Sequence, residues 1–183
     1  MRDISLHLLD IAQNSIRAKS SLIRIDMTVD KAKDELVIVI EDNGCGMSEE
    51  ILKRVKSPFT TSRTTRKVGL GIPLFTASCE NTGGRLDIES QIGKGTRLTA
   101  HLGFSHIDRP PLGDIAETVA ALTLLNPDID FVFNARKDEA FEFDTRQIKD
   151  TLGQVSITEP QVMVFIREYL QEGIKLVFGG NEI

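Results

Sequence analysis

Cysteine is scarce in this 183-residue sequence: Cys45 and Cys79 are the only two, and they form no C-x-x-C pair. A disulfide framework and a zinc site are therefore not expected. No apolar run approaches the roughly 18 residues that a membrane span requires. The first residues, MRDISLHLLD, lack a secretory apolar core. There is no excess of positive charge either, with a net charge of -5 and a pI of about 5.3. That balance argues against coating nucleic acid or an anionic membrane. Three familiar ligand loops are also missing. No G-x-x-x-x-G-K-[ST] occurs. GLGIPL has Leu74 at its sixth position and follows a loop, so it is no dinucleotide fingerprint, and DNGCG lacks the alternating oxygens and distal Glu of a calcium loop. These absences point to a reduced, cytoplasmic protein with neither a nucleic-acid nor a membrane partner.

What is present is patterned apolar sequence. Ile4, Leu8, Ile11, Ser15 and Ala18 recur at helical spacing behind Asp3, a plausible N-cap. LIRIDMTV (22–29) alternates as a half-buried strand, DKAKDE is a polar turn, and LVIVIED (36–42) reads as a more buried partner. Ser48 caps a short helix, and the hydroxyl-rich, cationic stretch 56–67 reads as an exposed loop. A helix over 71–82 closes at Gly83-Gly84, and two strands flank the turn IGKGT. This order predicts an α+β fold, a two-layer α/β sandwich with one mixed sheet covered on one face by helices. The proline-rich IDRPPLGD (107–114) marks a boundary between 1–106 and a C-terminal α/β extension, 107–183. The extension reads as helix 115–125, strands 129–135 and 140–143, and helices 145–152 and 159–172. Most of the nine phenylalanines lie beyond residue 130, so it carries core material of its own.

Three glycine turns, at 42–46, 69–71 and 93–95, are each ordinary turn material when taken alone. Other residues have chemistry that position makes legible. Asp10 and Asn14 stand four apart and share one helix face, where an amide and a carboxylate suit a hydrated cation. Asp42 closes a buried strand, where a carboxylate can accept from an exocyclic amine. Gly69 and Gly71 open a helix whose free N–H groups and positive dipole end favour phosphate.

Together, LLDIAQNSIRA, EDNGCGM, SPFTTSRTTRKVGLG and GKGTRL resemble, in order and spacing, the ATP-binding domain shared by histidine kinases, gyrase-type topoisomerases, mismatch-repair ATPases and the large heat-shock chaperone. This GHKL superfamily has the Bergerat ATP-binding fold. The resemblance covers Asp3 to about Phe104 and leaves the last 75 or so residues unexplained. It implies ATP and Mg2+ as ligands, with Asn14 holding the metal and Asp42 taking the adenine amino group. Gly44 and Gly46 would let the backbone approach the base, Met47 would pack on it, and Thr96 would close a water network around Asp42. Arg17 and Lys67 would face the phosphates with Gly69 and Gly71. Asp10 matches the position of the glutamate that activates water in hydrolysing members, and it is one methylene shorter.

The loop between Met47 and Gly69 is short and contains PFTTSRTT, similar to a stretch in nitrogen-sensing histidine kinases. That favours a stand-alone kinase-like module passing phosphate to a partner protein in trans, since neither His7, His101 nor His106 lies on a long coiled-coil helix. The alternatives are an ATP-gated switch or a weak ATPase acting through protein interaction, with an oligomer possible.

Overall fold

The computed structural model describes residues 3–56 and 70–179. The chain runs α1 (Ile4–Arg17), β1 (Leu22–Asp30), β2 (Glu35–Asp42), α2 (Glu49–Lys56), α3 (Gly71–Glu80), β3 (Arg85–Gln91) and β4 (Gly95–Gly103). It continues through α4 (Ile115–Leu125), β5 (Asp130–Arg136), β6 (Ala140–Asp144), α5 (Thr145–Leu152) and α6 (Pro160–Phe178). The six strands form a single mixed sheet in the order β3-β4-β2-β1-β5-β6.

Alternation in the sequence becomes sidedness in the sheet. Ile23, Ile25, Met27 and Val29 of β1 are buried, as are Leu36, Ile38 and Ile40 of β2 and Leu98, Ala100 and Leu102 of β4. Between them Arg24, Thr28, Glu41 and Arg97 face solvent, because successive side chains on a strand point to opposite faces. The buried face packs against the helices. The Asp3 carboxylate accepts the Leu6 N–H at 3.0 Å and starts α1, which lays Ile4, Leu8 and Ile11 into the core. Each such aliphatic side chain contributes on the order of 2 kcal/mol by leaving water.

Residues beyond 107 join the same sheet and core. β5 pairs parallel with β1 over Leu22↔Asp130 to Thr28↔Arg136, so Phe131 and Phe133 lie beside Ile23 and Ile25. α4 carries the chain across from β4 and packs on α1 and α6. The proline-rich connection is tied down, with Pro111 and Leu112 carbonyls accepting the Ile4 and Ser5 N–H groups at 2.9 Å each.

Several boundaries shift by one or two residues from the sequence expectation, α3 ending at Glu80 rather than 82, and one shifts further. α6 does not end at residue 172 but continues through Gly173 to Phe178. Gly173 is not a helix stop here: a Cβ on it would lie 2.1 Å from the Phe141 ring. The missing side chain lets that ring lie against the helix.

Candidate functional site

β2 delivers Asp42 to its C-terminal end, where the antiparallel register with β4 sets it directly beside Thr96. α1 crosses the buried face of this part of the sheet and presents Ile11, Asn14 and Ser15, with Ala18 capping its C-terminal end. Between them lies a cavity of about 270 Å³. Its walls are largely aliphatic, from Ile40, Ile72, Ile88, Leu98, Val55 and Met47, and its polar groups are Asn14, Ser15, Asp42 and Thr96. An apolar slot with a few convergent polar groups is the form of a small-molecule site.

Asp42 is held rigidly. The Ser15 hydroxyl donates to one carboxylate oxygen at 2.6 Å, and the Gly44 N–H donates to the other at 2.9 Å. A buried carboxylate needs such donors, because an unpaired charge away from water is costly. Two fixed donors also set the carboxylate plane, while each oxygen keeps a further lone pair for a ligand. Ser15 carries no sequence signal as a site residue: it sits on the core stripe of α1, where a hydroxyl reads as a tolerated small residue.

A second hydrogen-bond set holds the opposite wall. Ser90 accepts the Met47 N–H at 2.8 Å, lies 2.9 Å from the Gly95 carbonyl, and touches the Thr96 hydroxyl at 2.9 Å. With the single Ser90 proton directed to Gly95, Thr96 donates to Ser90 and keeps its acceptor lone pairs. Asn43 stitches the loop to the start of β1, its side-chain oxygen accepting the Ser21 and Leu22 N–H groups at 2.9 Å each.

The glycines give their clearance to the chain itself. A Cβ at Gly44 would meet Ser20 Oγ at 2.7 Å and Ala18 Cβ at 2.8 Å. Gly46, at φ +66°, would place one 2.0 Å from the Gln91 carbonyl oxygen, and Gly95, at φ +110°, 1.8 Å from that of Asp42. Bare backbone at these points allows β2, the loop after it and the β3–β4 turn to close on one another. The expectation that Gly44 and Gly46 make room for a base is thus joined by a nearer requirement, contact with Ala18, Ser20 and Gln91.

Asp10 and Arg17 sit beside the cavity rather than in its wall. The Asp10 carboxylate packs against Gly71 at the start of α3, where a Cβ would lie 3.0 Å from Oδ2. Arg17 donates to the Asn14 side-chain oxygen at 3.2 Å, on the exposed surface of α1. The structure therefore brings together Asn14, Asp42, Gly46, Met47 and Thr96 in one lining, with Gly44, Gly71, Asp10 and Arg17 adjoining it. Lys67 and Gly69 lie outside the described residues, as does nearly all of the expected loop at 56–67.

α1 and α3, which flank the site, are locked together on their buried side. The His7 ring stacks on Phe75 at 4.4 Å with planes 13° apart, and Nε2 lies 3.1 Å from the Ser78 hydroxyl. That hydroxyl donates to the Leu74 carbonyl at 3.0 Å, so Nε2 carries the imidazole proton. Nδ1 is buried and has no hydrogen-bond partner among the described residues. Burial pushes the His7 pKa down from 6.5 to about 4.

Comparison with known proteins bears on the family and the fold. The family model for histidine kinase-, DNA gyrase B- and HSP90-like ATPases matches residues 2–106. The sensor histidine kinase CitA of Klebsiella pneumoniae is 31% identical over 97 residues, covering 52% of this chain and 18% of that protein. Sporulation kinase D of Bacillus subtilis is 29% identical over 98 residues, 54% of this chain and 19% of that one. The match thus spans under a fifth of the length of each of these relatives. Among solved structures, the Aquifex aeolicus MutL ATPase domain complexed with ADP superposes with a TM-score of 0.55 at 12% identity, covering 83% of this chain and 69% of that one. The N-terminal domain of a DNA repair protein gives 0.56 at 14%, over 98% and 58%. At those identities the likeness is one of fold.

Proposed function

Because the chain belongs to the histidine kinase-, DNA gyrase B- and HSP90-like ATPase family, we propose that it binds ATP with Mg2+ in the cavity between α1 and the sheet and passes the γ-phosphate to a partner protein in trans. The observation that carries this reading is Asp42, fixed by Ser15 and Gly44 at the polar end of an aliphatic slot that also presents Asn14.

Adenine fits the slot chemically. Its amino group donates to the open lone pairs of Asp42, and its faces lie against aliphatic wall. Guanine would turn a carbonyl toward the same carboxylate, and two acceptors repel. Asn14 offers one neutral oxygen, and the described residues contain no cluster of three or more His, Cys, Asp or Glu able to hold a metal alone. That donor set fits a magnesium ion that arrives on phosphates and keeps much of its water. When bound, the ion would neutralise phosphate charge. Engaging Asn14 would release Arg17 from its 3.2 Å hydrogen bond and free its guanidinium for a phosphate oxygen.

Asp10 supports slow loss of phosphate to water. It is a short acid, it is absent from the cavity lining, and it lies against Gly71. A site that hydrolyses ATP poorly preserves the γ-phosphate for a protein acceptor. The kinase assignment also draws on the sensor kinases among the relatives.

Incubation with γ-labelled ATP and partner lysate tests it: the expected result is a labelled protein band, and its acid or alkali stability distinguishes phosphohistidine from phosphoserine or phosphothreonine. Steady phosphate release with no labelled band would replace the kinase with an ATPase. Asp42→Asn should raise the Kd for ATP about tenfold or more, since a buried charge-assisted hydrogen bond is lost. Unchanged affinity in calorimetry would overturn the site itself.

A further inference from the structure

A larger hollow lies away from this site, along β6, the edge strand of the sheet. It encloses about 540 Å³ between α5 and α6, with Ile148 and Leu152 on one wall and Val162, Phe165 and Tyr169 on the other. Phe165 is 56% exposed and Tyr169 40% exposed, and no other aromatic among the described residues is as open. They are not loose. Phe165 stacks on Tyr169 with ring centres 5.9 Å apart, Tyr169 meets Phe141 at 5.0 Å, and Phe141 meets the fully buried Phe133 at 6.4 Å. The Tyr169 hydroxyl donates to the Glu142 carbonyl at 3.1 Å. A ladder of four rings thus runs from the core to the surface and ends in two open faces held in place. Pre-ordered aromatics at the centre of an apolar groove are the usual anchors of a protein interface.

Charge decides what fits there. The lining contains the carboxylates of Glu142 and Asp144 and no lysine or arginine. Three of the nearby cations are already engaged, Arg146 with Asp144 at 2.6 Å, Lys149 with Asp130 at 2.7 Å and Arg167 with Glu117 at 2.9 Å, and Arg24 lies two strands over from Asp144, outside the lining. Glu142, Glu168 and Glu172 form no ion pair among the described residues, although the last two share α6 with the aromatics. An anionic lipid surface or a second copy docked groove to groove would bring like charges together. We propose that this groove is the docking site for a partner protein segment that presents apolar anchors flanked by lysine or arginine.

The test uses the full chain and three short synthetic peptides free of tyrosine and tryptophan. One is amphipathic, with Leu and Phe on one face and Lys on the other; the second has Glu for Lys; the third is the Lys peptide scrambled. Tyr169 is the sole tyrosine in a chain without tryptophan, so its fluorescence reports directly on the groove. The expected result is that the Lys peptide alone changes that signal and that added salt weakens its binding. Phe165→Ser should weaken it about tenfold. Glu142→Lys should weaken it several-fold, and both variants should keep the wild-type melting curve and nucleotide affinity. Equal binding of the scrambled or Glu peptide, no binding of the Lys peptide, or an unchanged Kd in both variants would overturn the proposal. So would a dimer in sedimentation that Phe165→Ser dissociates, since the occupant would then be a second copy.

Discussion

His7 gives the most quantitative prediction. In the fold its imidazole is neutral, stacked on Phe75, with Nε2 at Ser78 and Nδ1 buried without a partner among the described residues. Protonation would add a charge and an N–H at Nδ1 where nothing accepts it, and burial accordingly lowers the pKa from 6.5 to about 4. The unfolded chain takes up the proton first as pH falls. Stability attributable to this residue is therefore intact above pH 6.5, declines between 6.5 and about 4, and levels off below. The slope in that window is at most about 1.4 kcal/mol per pH unit, and the loss from about pH 7 to about pH 5 comes to roughly 2 kcal/mol. For a chain of this size that lowers the melting temperature by roughly 4–8 °C. Urea titrations of wild type and His7→Leu across this pH range measure it, because carboxylate contributions common to both proteins cancel in the difference. The variant should lose about 2 kcal/mol less than wild type on acidification, whatever its stability at neutral pH. Parallel pH profiles for the two proteins would refute the argument that His7 is buried neutral between α1 and α3.

Ser15→Ala should leave one Asp42 oxygen without its donor at 2.6 Å, at a cost of about 1–3 kcal/mol. Urea denaturation should show that loss, and calorimetry a weaker ATP affinity. Gly95→Ala sets a Cβ 1.8 Å from the Asp42 carbonyl oxygen at φ +110°. It should destabilise by about 3 kcal/mol or more through backbone strain and displacement. A Gly95→Ala protein with wild-type melting temperature and nucleotide affinity would contradict the closure of the β3–β4 turn on β2. Gly173→Ala drives a Cβ into the Phe141 ring and should cost about 1–3 kcal/mol, although alanine is the better helix former. A gain in the urea midpoint would mean that the ring does not pack there.

The sandwich and most of its elements were legible because their information is local. Period-two apolar alternation in 22–29 and 36–42, helical spacing behind Asp3 and glycine after 82 each settle a segment without reference to the rest. The family resemblance was legible for the same reason: each of its four segments keeps its signature in a few consecutive residues, and residues 2–106 match the family model.

Tertiary structure decided what depends on partners distant in sequence. That β5 would lie parallel beside β1 is set by long-range pairing and shape, which no window of sequence contains. α6 runs past the expected end at residue 172, since a glycine that stops a helix and one that admits Phe141 look alike in sequence. Ser15 gained its role from Asp42, 27 residues away, and Gly46 needs its bareness because of Gln91. Phe165 and Tyr169, ordinary helix residues by sequence, became an open pair of rings in a groove that Glu142 also lines. Local chemistry determined which residues could form a nucleotide site; packing determined which of them hold Asp42 still, and which side chains the finished fold left facing outward.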